Sequence, residues 1–184
     1  MVILKEEKNA QLFAQWLQSE TEANLQFIDG GDLDRPITAE AIAYKWDWNN
    51  QEIYLKNQKG RQLLKQRIYF AYVNQIPVGH VETTIVRNWQ NDHNHWNQLY
   101  TGKTWALCCY LYVVPEQRAK GYGTNMVKQA CNQAIDDGAD LVSLIVAKDN
   151  YRARKFYQNV GFIETQTKII KSGKEFLVSE YLNS

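Results

Sequence analysis

The order of apolar and polar positions along the chain predicts alternating strands and helices. The longest buried segment is 105–114, where nearly every residue is apolar, aromatic or β-branched. This composition is typical of a strand covered on both faces, and Pro115, which cannot donate to a sheet ladder, is expected to end it. Apolar residues then recur at helical spacing over 126–134, ahead of an Asp136-Asp137-Gly138 stop, which predicts a helix.

The same patterns place the remaining elements. A turn at 74–77 and a Ser172-Gly173 turn each separate two strand-like runs, which predicts two hairpins. Gly161 is expected to end a helix. The predicted strands are 2–4, 66–75, 78–86, 141–146, 162–170 and 175–181, and the further helices are 9–19, one starting at Thr38, and 150–159. This order predicts an α/β (α+β) fold with a mixed, largely antiparallel central sheet of six to seven strands flanked by helices.

Bulk composition narrows the class of protein. A chain of 184 residues with 45% hydrophobic content is expected to form one globular domain over 1–184. A net charge of +1 gives no general case for nucleic acid or an anionic membrane, and no apolar run is long enough to span a bilayer. Three cysteines without metal spacing and a first segment unlike a signal peptide indicate a reduced, cytoplasmic protein.

The junction after the long strand carries the strongest chemical signal. Arg118, Lys120, Gly121 and Gly123 follow within nine residues of the strand end. The first turn of a helix exposes unpaired N–H groups and partial positive charge, and glycine lets a ligand approach the backbone, so a phosphate or pyrophosphate is the natural occupant. A plain tight turn is the alternative. The chain has neither GxxxxGK[ST] nor a complete GxGxxG here, which disfavours a P-loop and a Rossmann site.

Two spaced motifs resemble the GNAT N-acetyltransferase superfamily. The pyrophosphate-loop motif of that family is matched by Leu111-x-Val113-x-Pro115-x-x-Arg118-x-x-Gly121-x-Gly123. Its later motif is matched, across one helix and one strand, by Asn150-x-x-Ala153-x-x-Phe156-Tyr157-x-x-x-Gly161-Phe162. The resemblance covers 111–162, and the first 67 residues carry no comparable signature. It implies a sheet whose fourth and fifth strands splay apart to admit the cofactor.

The resemblance also implies a set of residues that bind acetyl-CoA. Backbone groups of one strand segment would pair with the pantetheine arm, and N–H groups of the loop would cradle the pyrophosphate, with two basic side chains adding charge. A solvated basic turn is the alternative for those two. Asn150 would hydrogen-bond the CoA arm, or cap its helix, or do both. The residues concerned are Leu111, Tyr112, Val113, Arg118, Ala119, Lys120, Gly121, Tyr122, Gly123, Thr124 and Asn150.

The catalytic groups are less clear from the sequence. Tyr157 lies at the position of the family's general acid, and a phenol can protonate a leaving thiolate; a packed core aromatic is the alternative. On the second hairpin strand, His80, Glu82 and Thr84 share a face. Glu82 is the candidate base, with His80 or water as alternatives. The favoured interpretation of these three polar positions is nevertheless a solvent-facing strand edge.

Other candidate sites are weaker. His93 and His95, near Asp92, lack a third ligand, so no metal is expected. Cys108 and Cys109 are interpreted as buried small residues, since no activating base is evident.

The predicted activity is direct transfer of an acetyl group from acetyl-CoA to an amine of a small molecule or peptide. An acidic segment, 20–34, with Trp46, Trp48 and Tyr54 could receive a cationic amine. The alternatives are an acyl-CoA-binding sensor without catalysis and, more weakly, an ATP-binding protein. Dimerisation through strands is compatible with the sequence.

Overall fold

The computed structural model describes residues 3–7, 11–12, 15–16, 61–88, 99–171 and 173–182. Residues 11–12 and 15–16 are helical. The remaining elements, in chain order, are β1 (Ile3–Glu7), β2 (Arg61–Val73), β3 (Ile76–Asn88), β4 (Thr104–Val113), a 3₁₀ turn (Pro115–Gln117), α1 (Tyr122–Asp136), β5 (Leu141–Ala147), α2 (Tyr151–Val160), β6 (Ile163–Lys171) and β7 (Lys174–Leu182).

The strands form one seven-stranded sheet in the order β1-β2-β3-β4-β5-β7-β6. Every neighbouring pair is antiparallel except β4 and β5, which are parallel. This parallel pair needs a crossover connection, and α1 supplies it. The predicted mixed, largely antiparallel sheet flanked by helices is therefore confirmed.

The hairpin of β2 and β3 is longer than the sequence indicates. Asn74 and Gln75 both have positive φ, 50° and 67°, and form a tight two-residue turn. Pro77 lies inside β3, paired with Tyr72 at a register irregularity, and not in the turn. A bulge relieves the loss of a ladder hydrogen bond at proline, so the strand continues through it.

The core lies between α1 and the sheet. Met126, Val127, Ala130, Cys131 and Ala134 are the buried face of the helix, as their spacing predicts. They pack on the side of the sheet that carries buried apolar residues of β2 to β5. At Gly79 a Cβ atom would lie 2.4 Å from the carbonyl oxygen of Tyr112, so strands β3 and β4 approach here more closely than a side chain permits.

Strands β4 and β5 separate after a short contact. Their ladder comprises three residue pairs and ends where Leu107 meets Ser143. Both strands continue, β4 to Val113 and β5 to Ala147. A gap therefore opens between two adjacent strands of one sheet, and it opens toward the loop that follows β4. The splay that the resemblance implies is present.

Several sequence-based predictions lie outside the described residues: the helix start at Thr38, the acidic segment 20–34, the aromatics at 46, 48 and 54, and the His93–His95 pair. Over the ranges that the structure does describe, no helix is long and apolar enough to cross a membrane.

Candidate active site

The turn between β4 and α1 presents backbone N–H groups. Gly121 is the N-cap residue of α1, has φ of 79°, and lacks a side chain that could cap the helix. The first N–H groups of a helix have no acceptor within it. Ala119 also has positive φ, 61°, and alternation of left-handed and right-handed residues turns successive N–H groups toward a common side. The backbone at 119–124 therefore fits an anionic group such as a pyrophosphate.

Arg118 holds this turn against the end of its own strand. Its Nε atom donates to the carbonyl oxygen of Val113 at 2.8 Å, and its guanidinium lies 5.5 Å from the centre of the Tyr112 ring. The Nζ atom of Lys120 donates to Oε1 of Gln117 at 2.9 Å on the surface. Both cations therefore border the turn, and Arg118 also fixes its position relative to β4.

A β-bulge interrupts β4 in the part that faces the gap. His80 is opposite Tyr112 and Glu82 is opposite Cys109, so β4 has one more residue than β3 between these pairs. Tyr110, within the bulge, has φ of 52°. A bulge changes which side chains face each side of a sheet. Accordingly, Ala106 and Cys108 pack into the core below α1 before the bulge, and Leu111 and Val113 do so after it.

Tyr157 lies on α2 and faces β4 near the bulge. Its ring packs edge-on against Phe156 and Phe162, with ring centres 5.1 Å and 5.6 Å away. Burial raises the pKa of the phenol well above its ordinary value, and the nearby thiols of Cys108 and Cys109 raise it further. Within the described part of the chain the phenol oxygen has no hydrogen-bond partner. The phenol is therefore protonated at neutral pH.

Asn150 caps α2, as the sequence predicts. Its side-chain oxygen accepts a hydrogen bond from the N–H of Ala153 at 3.1 Å, and the residue is exposed. The amide nitrogen of a capping asparagine is a donor that the cap does not use. Gly161 ends the helix, with its N–H directed at the carbonyl oxygens of Tyr157 and Gln158.

The prediction that His80, Glu82 and Thr84 form a solvent-facing strand edge is wrong. Their exposed fractions are 2%, 3% and 6%. The alternate residues of β3 are buried as well, since Val81, Thr83 and Ile85 face α1. The reason is that both faces of β3 are covered: residues of α1 pack on one face, and the Trp16 ring lies on the other beside His80.

Aromatic rings surround His80. The Trp16 ring lies 5.2 Å away, the Tyr112 ring 6.2 Å and the Phe70 ring 6.3 Å, measured between ring centres. Burial lowers the pKa of His80 to about 3. Its imidazole is therefore neutral at pH 7 and takes up a proton only at strongly acidic pH, which makes it a poor general base.

Glu82 is a buried carboxylate that the structure holds by hydrogen bonds. Its Oε1 atom accepts from Nε2 of Gln66 at 2.8 Å and from Oγ1 of Thr84 at 3.2 Å. Gln66 is a residue that the sequence did not single out. The tight turn at 74–75 alone would place Gln66 opposite Thr83. The register irregularity between Ala71 and Tyr72 shifts the pairing by one residue and places Gln66 opposite Thr84, so the sequence carries no clear signal for this contact.

The expectation that Cys108 and Cys109 are both buried is confirmed for Cys108 and wrong for Cys109. Cys108 and Cys131 are buried, and Cys109 is partly exposed. A hydrogen bond with Cys131, together with burial, raises the pKa of Cys108 well above its ordinary value. A thiol of this kind is a weak nucleophile. Among the described residues, no group of three His, Cys, Asp or Glu side chains could hold a metal ion.

Known proteins with similar sequence or fold point to one family. The model of the acetyltransferase (GNAT) family matches residues 33–162, so the match begins well upstream of the two motifs. An uncharacterised N-acetyltransferase of Archaeoglobus fulgidus is 32% identical over 63 residues, which are 34% of this chain and 43% of that protein. The aligned segment thus spans less than half of the relative.

Two solved structures share the fold. An Acinetobacter baylyi protein described as an acetyltransferase superposes with a TM-score of 0.67 at 13% identity, over 100% of this chain and 93% of its own. A Salmonella typhimurium protein, solved with its cofactor acetyl-CoA, superposes with a TM-score of 0.61 at 13% identity, over 98% and 93% of the two chains.

Proposed function

Since the chain belongs to the acetyltransferase (GNAT) family, we propose that it transfers the acetyl group of acetyl-CoA directly to a primary amine of a small molecule or peptide. The observation that carries this proposal is the coincidence of three features. The gap between β4 and β5 opens beside the N-terminus of α1, and the Tyr157 phenol faces that same part of β4.

The chain's backbone would bind two parts of the coenzyme, the pyrophosphate and the pantetheine arm, in different ways. N–H groups at 119–124 suit the pyrophosphate, because they combine exposed donors with the positive end of the helix dipole. The edge of β4 at 111–113 suits the amide-containing pantetheine arm, which would add to the sheet like a short strand. Asn150, across the gap at the start of α2, would donate to the same arm.

Two side chains would move the protons. Bound acetyl-CoA supplies an activated carbonyl carbon and a thiolate leaving group. As the amine nitrogen bonds to that carbon, Glu82 takes the amine proton, directly or through a water. As the carbon–sulfur bond breaks, the Tyr157 hydroxyl gives its proton to the sulfur. Glu82 is preferred to His80 as the base because the pKa of His80 is lowered to about 3.

The proposal is tested by assaying release of the CoA thiol with acetyl-CoA and a panel of primary amines. We expect Tyr157→Phe to lower kcat at least about 100-fold while leaving CoA binding intact, because it removes only the proton donor. Tyr151→Phe is the matched control: it lies on the same helix, is 72% exposed, and should leave kcat unchanged.

Other outcomes would contradict the proposal in distinct ways. Thermal stabilisation by acetyl-CoA without turnover of any amine would indicate a sensor that binds acyl-CoA. Stabilisation by ATP and not by CoA would contradict the assignment of the cofactor itself. Equal kcat for wild type and Tyr157→Phe would remove Tyr157 from the mechanism.

A further inference from the structure

The carboxylate of Glu82 is held by donors from two neighbouring positions of the hairpin. Gln66 on β2 donates from Nε2 at 2.8 Å, and Thr84, two residues along β3, donates from Oγ1 at 3.2 Å. Both bonds end on the same oxygen, Oε1. Gln66 and Thr84 are themselves opposite each other in the register, so the three side chains form one small group on one face of the sheet.

We propose that Gln66 and Thr84 are positioning residues that orient Glu82 and keep it ionised for proton abstraction; this inference rests on the proposed role of Glu82 as base. Two donors converging on one oxygen fix the plane of a carboxylate. They also favour its charged form over its neutral form, as hydrogen bonds to a carboxylate do in general.

Burial makes these donors necessary. Glu82 is only 3% exposed, and a carboxylate removed from water is costly unless hydrogen bonds or charges compensate. Buried carboxylates are frequent in active sites. At a position with only a structural role, an apolar side chain of similar volume stabilises the fold as well or better. Glu82 is opposite Cys109 at the bulge of β4, the strand that borders the gap on its other side.

The other titratable groups around Glu82 differ in kind. His80 lies two residues away on the same face of β3 and is neutral at pH 7. Cys109 is opposite Glu82 on β4, and Cys108, next to it, has its pKa raised in part by the charge of Glu82. On β1, Lys5 reaches the Tyr72 ring, 5.4 Å from its centre, two strands from Glu82. Gln66 and Thr84 reach the carboxylate as neutral donors, so their hydrogen bonds favour its charged form without adding a charge of their own.

The test is the pH dependence of kcat/KM with one amine and acetyl-CoA. The acidic limb of this profile is the fall in kcat/KM at low pH, where the base becomes protonated. Glu82→Gln is measured first and should remove this limb together with most of the activity. Thr84→Val and Gln66→Leu should each move that limb to higher pH by about one unit, because a carboxylate that loses a hydrogen bond is protonated more readily. The amine is the same throughout, so a shift between variants belongs to the enzyme.

Conservative variants separate positioning from a structural role. Thr84→Ser keeps the hydroxyl and should retain the wild-type acidic limb. If Thr84 and Gln66 had only a structural role, Thr84→Val and Gln66→Leu would lower kcat/KM at every pH without moving the limb. Circular dichroism and thermal unfolding establish that each variant is folded at the pH values used. If one donor compensates for the loss of the other, the single variants will not move the limb. The double variant of Gln66→Leu and Thr84→Val should then move it to higher pH.

The failures are distinguishable. If Glu82→Gln removes the acidic limb but folded Thr84→Val, Gln66→Leu and the double variant leave it in place, the positioning proposal is overturned and the base assignment stands. If Glu82→Gln retains both activity and limb, the base assignment is overturned and the positioning proposal falls with it.

Discussion

At the scale of single residues, Tyr100 shows how one hydroxyl joins distant parts of the chain. It precedes β4, and its oxygen lies 2.9 Å from both Oγ of Ser143 on β5 and Oε1 of Glu180 on β7. Its ring packs on Trp105, with ring centres 4.7 Å apart. Burial raises the pKa of Tyr100 above its ordinary value, so the phenol remains a donor at neutral pH.

We predict that Tyr100→Phe destabilises the protein by about 1–3 kcal/mol, because it removes the hydrogen bonds of the hydroxyl to the buried Ser143 and the half-buried Glu180. Urea unfolding monitored by tryptophan fluorescence measures the loss. Tyr181→Phe is the matched control, since the Tyr181 hydroxyl bonds to Asn132 at an exposed site, 3.0 Å away. An equal loss of unfolding free energy in both variants would contradict the prediction, because it would show that the cost of removing a hydroxyl does not depend on its burial.

Residue-scale predictions from the sequence succeeded where local geometry decides the role and failed where distant chain segments do. The helix cap at Asn150 and the stop at Gly161 follow from the intrinsic preferences of those residues. The burial of Glu82 does not, because polar residues alternating along a strand are typical of an exposed face. Residues from far along the chain, such as Trp16, cover that face beside His80.

At the scale of elements, the turn between β4 and α1 depends on its left-handed residues. Gly121 has φ of 79°, and an added Cβ would meet no protein atom within 4 Å. The protein therefore leaves room for a side chain at this position. Glycine is favoured there because of the positive φ, which other residues adopt only at a cost. A side chain would nevertheless project beside the N–H groups that the proposed pyrophosphate needs.

We predict that Gly121→Ala lowers stability by about 1–2 kcal/mol, the cost of a left-handed non-glycine residue, and also raises KM for acetyl-CoA. Gly138→Ala is the matched control at the other end of α1, where φ is 98° and the space is equally open. It should cost a similar amount of stability and leave KM unchanged. Thermal unfolding and steady-state kinetics measure the two effects, and a raised KM in both variants would refute the assignment.

Element order and type were predictable because the hydrophobic periods are clear, from the apolar run of β4 to the helical spacing of α1. The bulge at Tyr110 was not. Tyrosine has no preference for positive φ, and an extra residue in a long apolar strand leaves no mark on its pattern. The end of β4 before Pro115 and the turn into α1 at Gly121 were nevertheless predictable, because proline and glycine restrict the backbone directly.

At the scale of the whole molecule, an ionic network ties the edge of the sheet to the end of α1. Arg67 on β2 donates to both carboxylate oxygens of Asp137, at 2.6 Å and 3.1 Å, and is also paired with Glu6 of β1. Lys65 adds a contact of 2.8 Å to Asp137. Burial works to raise the pKa of Asp137, but the hydrogen bonds from Arg67 and Lys65 outweigh it and hold the pKa below its ordinary value of 3.8.

We predict that this network makes the protein sensitive to acid. A carboxyl whose pKa is lower in the folded than in the unfolded chain stabilises the fold above the unfolded pKa, here 3.8, and that stability is lost as pH falls through the folded pKa. Asp137→Asn should lower the free energy of unfolding at pH 7 by about 1.5–3 kcal/mol and reduce the loss on acidification. Asp136→Asn, at an exposed neighbouring position, should do neither. Chemical denaturation at several pH values between about 2 and 7 measures both.

The short ladder between β4 and β5 has a consequence for cooperativity. Strands β1 to β4 and strands β5 to β7 are linked within the sheet by three residue pairs alone. Amide hydrogen exchange should therefore report two partly independent groups of strands in the absence of ligand. A coenzyme bridging them would merge these into one cooperative unit, so the same molecule that brings the acetyl group would also complete the fold.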